Sequence, residues 1–235
     1  MKSKIRGEWT KFISSRWCVA GVCIAIFLQP ILLFAGILTV DIPTSNIALE
    51  QLLQALYISQ TGIIIMSAGF FGQEYFDSSL RTTFLASSRR INGFIAKALI
   101  LAFVSISAWA MSVGLGIVIA MIYEISFAVR DFLKIGLTVL SWVMMGWISG
   151  FVAVILKSHL ISIIIFVPSN LAVNQMLAGI TDVYRFFPDI AARNAFTISP
   201  GTVLLQAQTG LAVQAIWTLA TGALAMWLNS RRDVR

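Results

Sequence analysis

Charge is what this chain has least of. Only 11% of its 235 residues are Asp, Glu, Lys or Arg, whereas a soluble domain carries roughly 25%. There are ten acidic residues, one histidine, two cysteines and five prolines. A chain this poor in charge, 58% apolar and with a mean hydropathy of +0.88, is excluded from most soluble readings. Two cysteines exclude a disulfide framework; Cys18 and Cys23 share one half of one apolar run with no further ligands near, so small packing roles are expected. The lone His159 follows Lys157 and Ser158 with no carboxylate close in sequence, which argues against a catalytic or metal-binding histidine. Zinc-protease spacing and the G-x-S-x-G elbow are missing. The G-x-x-x-x-G-K-[ST] loop is missing too, so ATP is not bound by that route.

What the chain does have is long apolar runs. About 20 apolar residues cross the hydrocarbon layer as a helix, and six segments qualify: 17–40, 52–71, 98–123, 132–156, 160–180 and 211–228. The longest gap, 181–210, holds 30 residues, too few for a separate domain of ordinary size. The fold class expected is all-α: one polytopic membrane domain over 1–235 with six transmembrane helices. The first run is 24 residues, longer than the roughly 7–15 of a signal peptide, and no small-residue cleavage site closes it, so it reads as a retained span.

The net charge of +7 is a topology signal rather than a nucleic-acid footprint. Of the seventeen Lys and Arg, thirteen fall in 1–16, 81–97, 157 and 231–235, while Arg130, Lys134, Arg185 and Arg193 fall in the alternate loops. Basic residues in short loops mark the cytoplasmic side. Both termini are therefore expected inside, in a multi-pass protein of the cytoplasmic membrane.

Outside the spans, three stretches carry pattern. Ile5, Trp9, Phe12 and Ile13 recur at helical spacing while Lys4, Glu8, Lys11 and Ser15 take other faces. This predicts an interfacial helix over 1–16; the plainer reading is a basic tail that fixes orientation. In the loop 72–97, Phe76, Leu80 and Phe84 share one helical face, Asp77 or Ser78 suits the helix start, and Arg89 and Arg90 follow. Exposed aromatics beside paired basic residues suit a soluble partner, although a reversal loop held at the lipid surface has the same composition. The segment 181–210 contains Tyr184, Phe186, Phe187, Pro188, Phe196, Ile198 and Pro200, which predicts short helices broken at Pro188 and Pro200. Backbone dipping toward lipid would have to be shielded by protein.

No charged residue lies deep in any span, and Lys134, three residues into the fourth, is placed to snorkel. Carriers driven by protons or sodium generally bind the coupling ion with ionisable groups in their spans, so that class is disfavoured. Neutral polar groups are present. Asn170 and Asn174 share a face with Phe166 in the Pro168-containing fifth span, and the second span offers Tyr57, Gln60, Thr61 and Ser67. Amides facing lipid are costly, which leaves interhelical hydrogen bonding or a substrate-facing surface. Gly146 and Gly150 form a GxxxG pair, a weak signal.

Taken together, these features resemble the permease subunits of the type-2 ABC exporter family, which serves drug, bacteriocin-immunity and polysaccharide export. The resemblance covers essentially the whole chain. It rests on the amphipathic start with Glu8, Trp9, Lys11 and Arg16, and on six spans with both ends inside. It rests also on Gln73-Glu74-Tyr75 through Leu80-Arg81-Thr82-Thr83, followed by Ser88-Arg89-Arg90 and Lys97, and on Pro188 and Ser199-Pro200-Gly201.

The resemblance implies that the cytoplasmic loop is a coupling helix. Glu74, Phe76, Leu80, Arg81 and Phe84 would then dock on a separate ABC ATPase subunit, which itself binds ATP and Mg. Gln60, Phe70, Phe166, Asn170 and Asn174 become pathway candidates, and 181–210 an external re-entrant lid. A second permease subunit, identical or a sister chain, completes the transporter amid membrane lipid, with no nucleic acid. No cofactor, metal or catalytic residue is expected in this chain. An amphipathic or lipid-like cargo, such as a drug or antimicrobial peptide, suits the uncharged spans. The competing class is a non-transporting membrane partner, such as an immunity or assembly factor.

Overall fold

The computed structural model describes residues 2–39, 45–76, 90–173, 182–198 and 205–231. Its regular elements are all helical, with no strand among the described residues. Helix α1 (Lys2–Ser14) breaks at Ser15, and α2 (Arg16–Leu38) begins at once. Three long helices follow: α3 (Ser45–Phe76), α4 (Arg90–Ile122) and α5 (Val129–Leu156). Helix α6 (His159–Pro168) runs into a π-helical turn, Ser169–Val173. A 3₁₀ turn (Asp182–Phe186), the short α7 (Pro188–Arg193) and a second 3₁₀ turn (Asn194–Phe196) precede α8 (Ala207–Arg231).

Five of these helices, α2, α3, α4, α5 and α8, are long and apolar enough to cross a membrane, and His159–Leu171 is a shorter apolar helix. The ten residues of α6 and five of the π turn reach about 22 Å at a rise of ~1.5 Å each, short of the ~30 Å hydrocarbon core. Six full crossings are therefore not all contained in the described residues. Large apolar side chains such as Phe27, Phe103, Ile106, Ile216 and Leu219 lie exposed on α2, α4 and α8. A soluble protein of this size rarely exposes so much apolar surface; these faces mark a membrane-embedded protein.

The helices run past the ends of the apolar runs because backbone hydrogen bonding continues until a specific residue stops it. Helix occupies 72–76 and 90–97 of the expected 72–97 loop, which leaves 77–89 outside the described residues. At the opposite end α5 begins earlier than its apolar run. Asp131 Oδ2 accepts the Ala128 N–H at 2.9 Å, and the Asp131 N–H donates to the Ala128 carbonyl at 2.9 Å, closing the first turn reciprocally. Lys157, at a left-handed φ of 54°, ends α5, and the Ser158 hydroxyl accepts the Ile161 N–H to start α6. Pro188 opens α7 at its first turn, where a missing N–H costs nothing; it starts a helix rather than breaking one. Pro168 has no N–H for the Ile164 carbonyl, and the chain widens into the π turn directly after it.

Helix α3 is the hub. Its apolar window is 89% buried, against 22% for α8. Gly21 on α2 and Gly62 on α3 bring the two backbones into contact: a Cβ on Gly21 would stand 2.6 Å from the Gly62 carbonyl oxygen. The Gly146–Gly150 pair of α5 also faces α3, since Cβ atoms there would stand 2.9 Å from Ile63 Cγ2 and 2.7 Å from Phe71 Cδ2. Small residues permit the close approach from which helices gain dispersion energy in lipid, where apolar burial alone gives little drive. The bundle thus has two distinct ends. One carries α1, the close of α3 and the start of α4; the other carries the starts of α3, α5 and α8 beneath α7 and its flanking 3₁₀ turns.

Candidate functional site

A seam of neutral polar groups runs through the middle of the bundle. The Gln60 amide donates to the Ser141 carbonyl at 2.9 Å and to the Ser141 hydroxyl at 3.3 Å, joining α3 to α5. From α8, the Gln214 amide reaches the same carbonyl at 3.5 Å. The Asn170 amide, in the π turn, donates to the Tyr57 carbonyl and the Thr61 hydroxyl, both at 3.1 Å. One turn toward the α1 end, the Ser162 hydroxyl donates to the Ser149 carbonyl at 2.8 Å, and the Ser149 hydroxyl to the Ile64 carbonyl at 3.1 Å. Gln60, Asn170 and Gln214 are fully buried. Their carbonyl oxygens Oε1, Oδ1 and Oε1 have no hydrogen-bond partner among the described residues. The seam can accept hydrogen bonds, and its described side chains are all uncharged amides and hydroxyls.

Of the residues singled out from the sequence, Gln60 on α3 and Asn170 in the π turn are both brought to this seam. Phe166 lies one turn along, packed with Ile64, Met145 and Ile148. Phe70 is elsewhere, at the α1 end, edge-on to Phe12 at 5.1 Å and to Phe71 at 5.9 Å between ring centroids. Asn174, Leu80, Arg81 and Phe84 lie outside the described residues, as do the side chains of Glu74 and Phe76, whose backbone closes α3. His159 is buried against Gly72 and the Trp17 ring, 5.6 Å between centroids. Among the described residues no group of three His, Cys, Asp or Glu is placed to hold a metal ion.

Two features went unread in the sequence. Gln214 had the same signal as Gln60, an amide amid apolar residues, and also joins the seam. The second is a buried ion pair. Lys97 Nζ lies 3.8 Å from Glu8 Oε2, donates to the Phe70 carbonyl at 3.4 Å, and sits over the Phe70 and Phe71 rings at 5.4 and 5.8 Å. Glu8 also meets Lys11 at 3.2 Å. Lys97 therefore ties α1, the close of α3 and the start of α4 together at the two stems of residues 77–89. In the sequence Lys97 reads only as one more basic residue of the loop, and nothing there named Glu8, 89 residues away, as its partner.

No protein-family model matches the chain, and no curated protein matches it in sequence.

Proposed function

We propose that the chain is the membrane-spanning permease subunit of an ATP-driven exporter of the type-2 ABC kind, powered by a separate ATPase subunit. The observation that carries this reading is the clamped base of residues 77–89. Their two stems, the close of α3 and the start of α4, are held to each other and to α1 through Lys97. A loop meant to receive a push needs stiff stems; a mere reversal loop does not. The end that carries α1 and these stems is cytoplasmic in this reading, in line with the excess of basic residues there. The short apolar helix α6, continued through 174–181, makes the sixth span, and both termini lie inside the cell membrane.

A neutral seam also fits the division of labour. With no ionisable side chain in the middle of the bundle, ion coupling has no anchor, and energy has to arrive through a partner. Glu74, Phe76, Leu80, Arg81 and Phe84 form the docking face, while Gln60, Phe166, Asn170 and Asn174 border the route of an amphipathic cargo between two such subunits. Co-purification with the ATPase encoded beside this chain tests the reading. Binding should fall at least about tenfold when Phe76, Leu80 and Arg81 are changed together to Ala, and undiminished binding refutes the docking face. A cysteine placed at Leu80 should react with a membrane-impermeant thiol reagent only from the cytoplasmic side.

A further inference from the structure

We propose a binding site for the anionic head of an amphiphile in the cavity between α3, α5, residues 194–198 and the start of α8, with Lys134 as its cationic anchor. The cavity holds about 250 Å³, and its lining mixes Lys134, Asn194, Thr197 and Gln206 with the apolar Leu53, Leu137 and Ile198. That volume is about eight times the ~30 Å³ share of one liquid water, room for a carboxylate or phosphate and the first few methylenes but not for a whole lipid.

The sign of the ligand follows from what lines the space. Among the described residues, Lys134 is the one charged residue lining it, and none supplies an acid within ion-pair distance of its ammonium. Asp131, one turn earlier on α5, is turned to the helix start, where it accepts the Ala128 N–H and lies 3.9 Å from Arg130 Nε. Asn194 is 2% exposed, and its Nδ2 is buried against Gly210 of α8 rather than open to the cavity. The other end of that amide is engaged too, Oδ1 accepting the Leu205 N–H at 3.0 Å, so Asn194 is a fixed, neutral part of the wall. The Thr197 hydroxyl donates to the Arg193 carbonyl at 3.0 Å and so keeps only acceptor capacity. An ammonium with no acid beside it, in a described lining that is otherwise neutral, asks for an anion.

An inorganic anion would use the ammonium alone and leave Leu53, Leu137 and Ile198 facing water. An amphiphile uses both kinds of lining: its head meets the ammonium, which a lysine stem can carry past apolar surface, and its chain covers the apolar residues and continues toward lipid. A neighbouring cavity of about 200 Å³, beyond Thr197 and Ile198, is lined by Glu50 and Arg193 together. Its opposite charges cancel, and Glu50 repels an acidic head. The two compartments therefore sort ligands by sign, and the acidic head belongs beside Lys134. As a stage in cargo release the site rests on the exporter reading, but as a binding site it stands without it.

The full chain in phosphatidylcholine nanodiscs tests this, with palmitic acid carrying a diazirine near its carboxyl group as probe and the matching alkyl amine as comparison. After illumination the acid should label peptides containing Lys134 and Thr197 about ten times more than the amine does. Lys134→Gln should reduce labelling by the acid to the level of the amine, Lys134→Arg should keep it, and Glu50→Gln should not lower it. Competition by phosphatidylglycerol placed in the disc identifies a bilayer lipid as the occupant; competition by free palmitate alone identifies a soluble amphiphile. Equal labelling by acid and amine overturns the proposal, and that comparison needs no variant. Undiminished labelling of a Lys134→Gln protein that keeps its melting temperature overturns it as well. No ATPase takes part, so a failure here leaves the docking test standing, and a failed docking test leaves this result standing.

Discussion

Glu8 Oε2 lies 3.8 Å from Lys97 Nζ, and both residues are buried. The pair bridges α1 and α4 across 89 residues of sequence, and Lys97 is held on its other side by the Phe70 carbonyl. Removing one charge of a buried pair costs more than removing both, because the survivor is left desolvated. Glu8 retains Lys11 at 3.2 Å, which softens the loss. Lys97→Met should therefore destabilise the protein by about 2 kcal/mol, while Glu8→Gln combined with Lys97→Met should cost clearly less than the two single changes added. A double-mutant cycle on thermal melting in detergent micelles measures the coupling, and strict additivity would contradict it.

The Gly21–Gly62 crossing makes an opposite pair of predictions for one kind of substitution. Gly62→Ala puts a methyl group against the α2 backbone, 2.5 Å from the Gly21 carbonyl oxygen, and backbone cannot give way as a side-chain tip does. A loss of about 1–3 kcal/mol is expected. Gly114→Ala meets nothing within 4 Å and should stabilise α4 by roughly 0.5–1 kcal/mol through helix propensity. Melting temperatures of the two variants should move in opposite directions.

Asn170 joins the π turn to α3 through two hydrogen bonds. Interhelical side-chain bonds in membrane proteins average about 0.6 kcal/mol and reach about 1.7, so Asn170→Ala should cost about 1–2 kcal/mol. Asn170→Asp should cost more, since a carboxylate would face the Tyr57 carbonyl it now donates to. A ranking of wild type over Ala over Asp in resistance to denaturing detergent checks this order; Asp melting with the wild type would show that water reaches the site.

The two cysteines differ in environment. Cys18 is buried with its thiol 3.8 Å from the Met66 carbonyl, and Cys23 is exposed on α2. A small membrane-permeant maleimide should modify Cys23 alone in the folded protein and both once it is denatured. Equal modification of Cys18 in the folded state would mean that α2 and α3 separate readily.

How much of this could be read in advance depended on whether a residue's signal is local. Apolar runs found α2, α3, α4, α5 and α8, because crossing a bilayer demands a contiguous stretch. The same criterion misjudged helix ends: it stopped near Ala98 although α4 starts at Arg90, since a helix tolerates a lysine wherever a partner reaches it. Asn170 and Phe166 were placed on one face by their spacing, and that face does meet protein. Which protein it meets was not legible, because Tyr57 and Thr61 are more than a hundred residues away. Gly146 and Gly150 were equally readable as a motif and equally silent about their partner, which is α3 of the same chain.

The touching backbones of α2 and α3 also fix how the two helices can be arranged. Moving α3 by one turn along α2 would present Ile58 or Met66 where Gly62 now stands, and neither fits a space that refuses even a methyl group. The pair behaves as a key with a single notch, indexed at one residue. A slide by one turn would require the two helices to part first, so a rearrangement that keeps them in contact keeps this register.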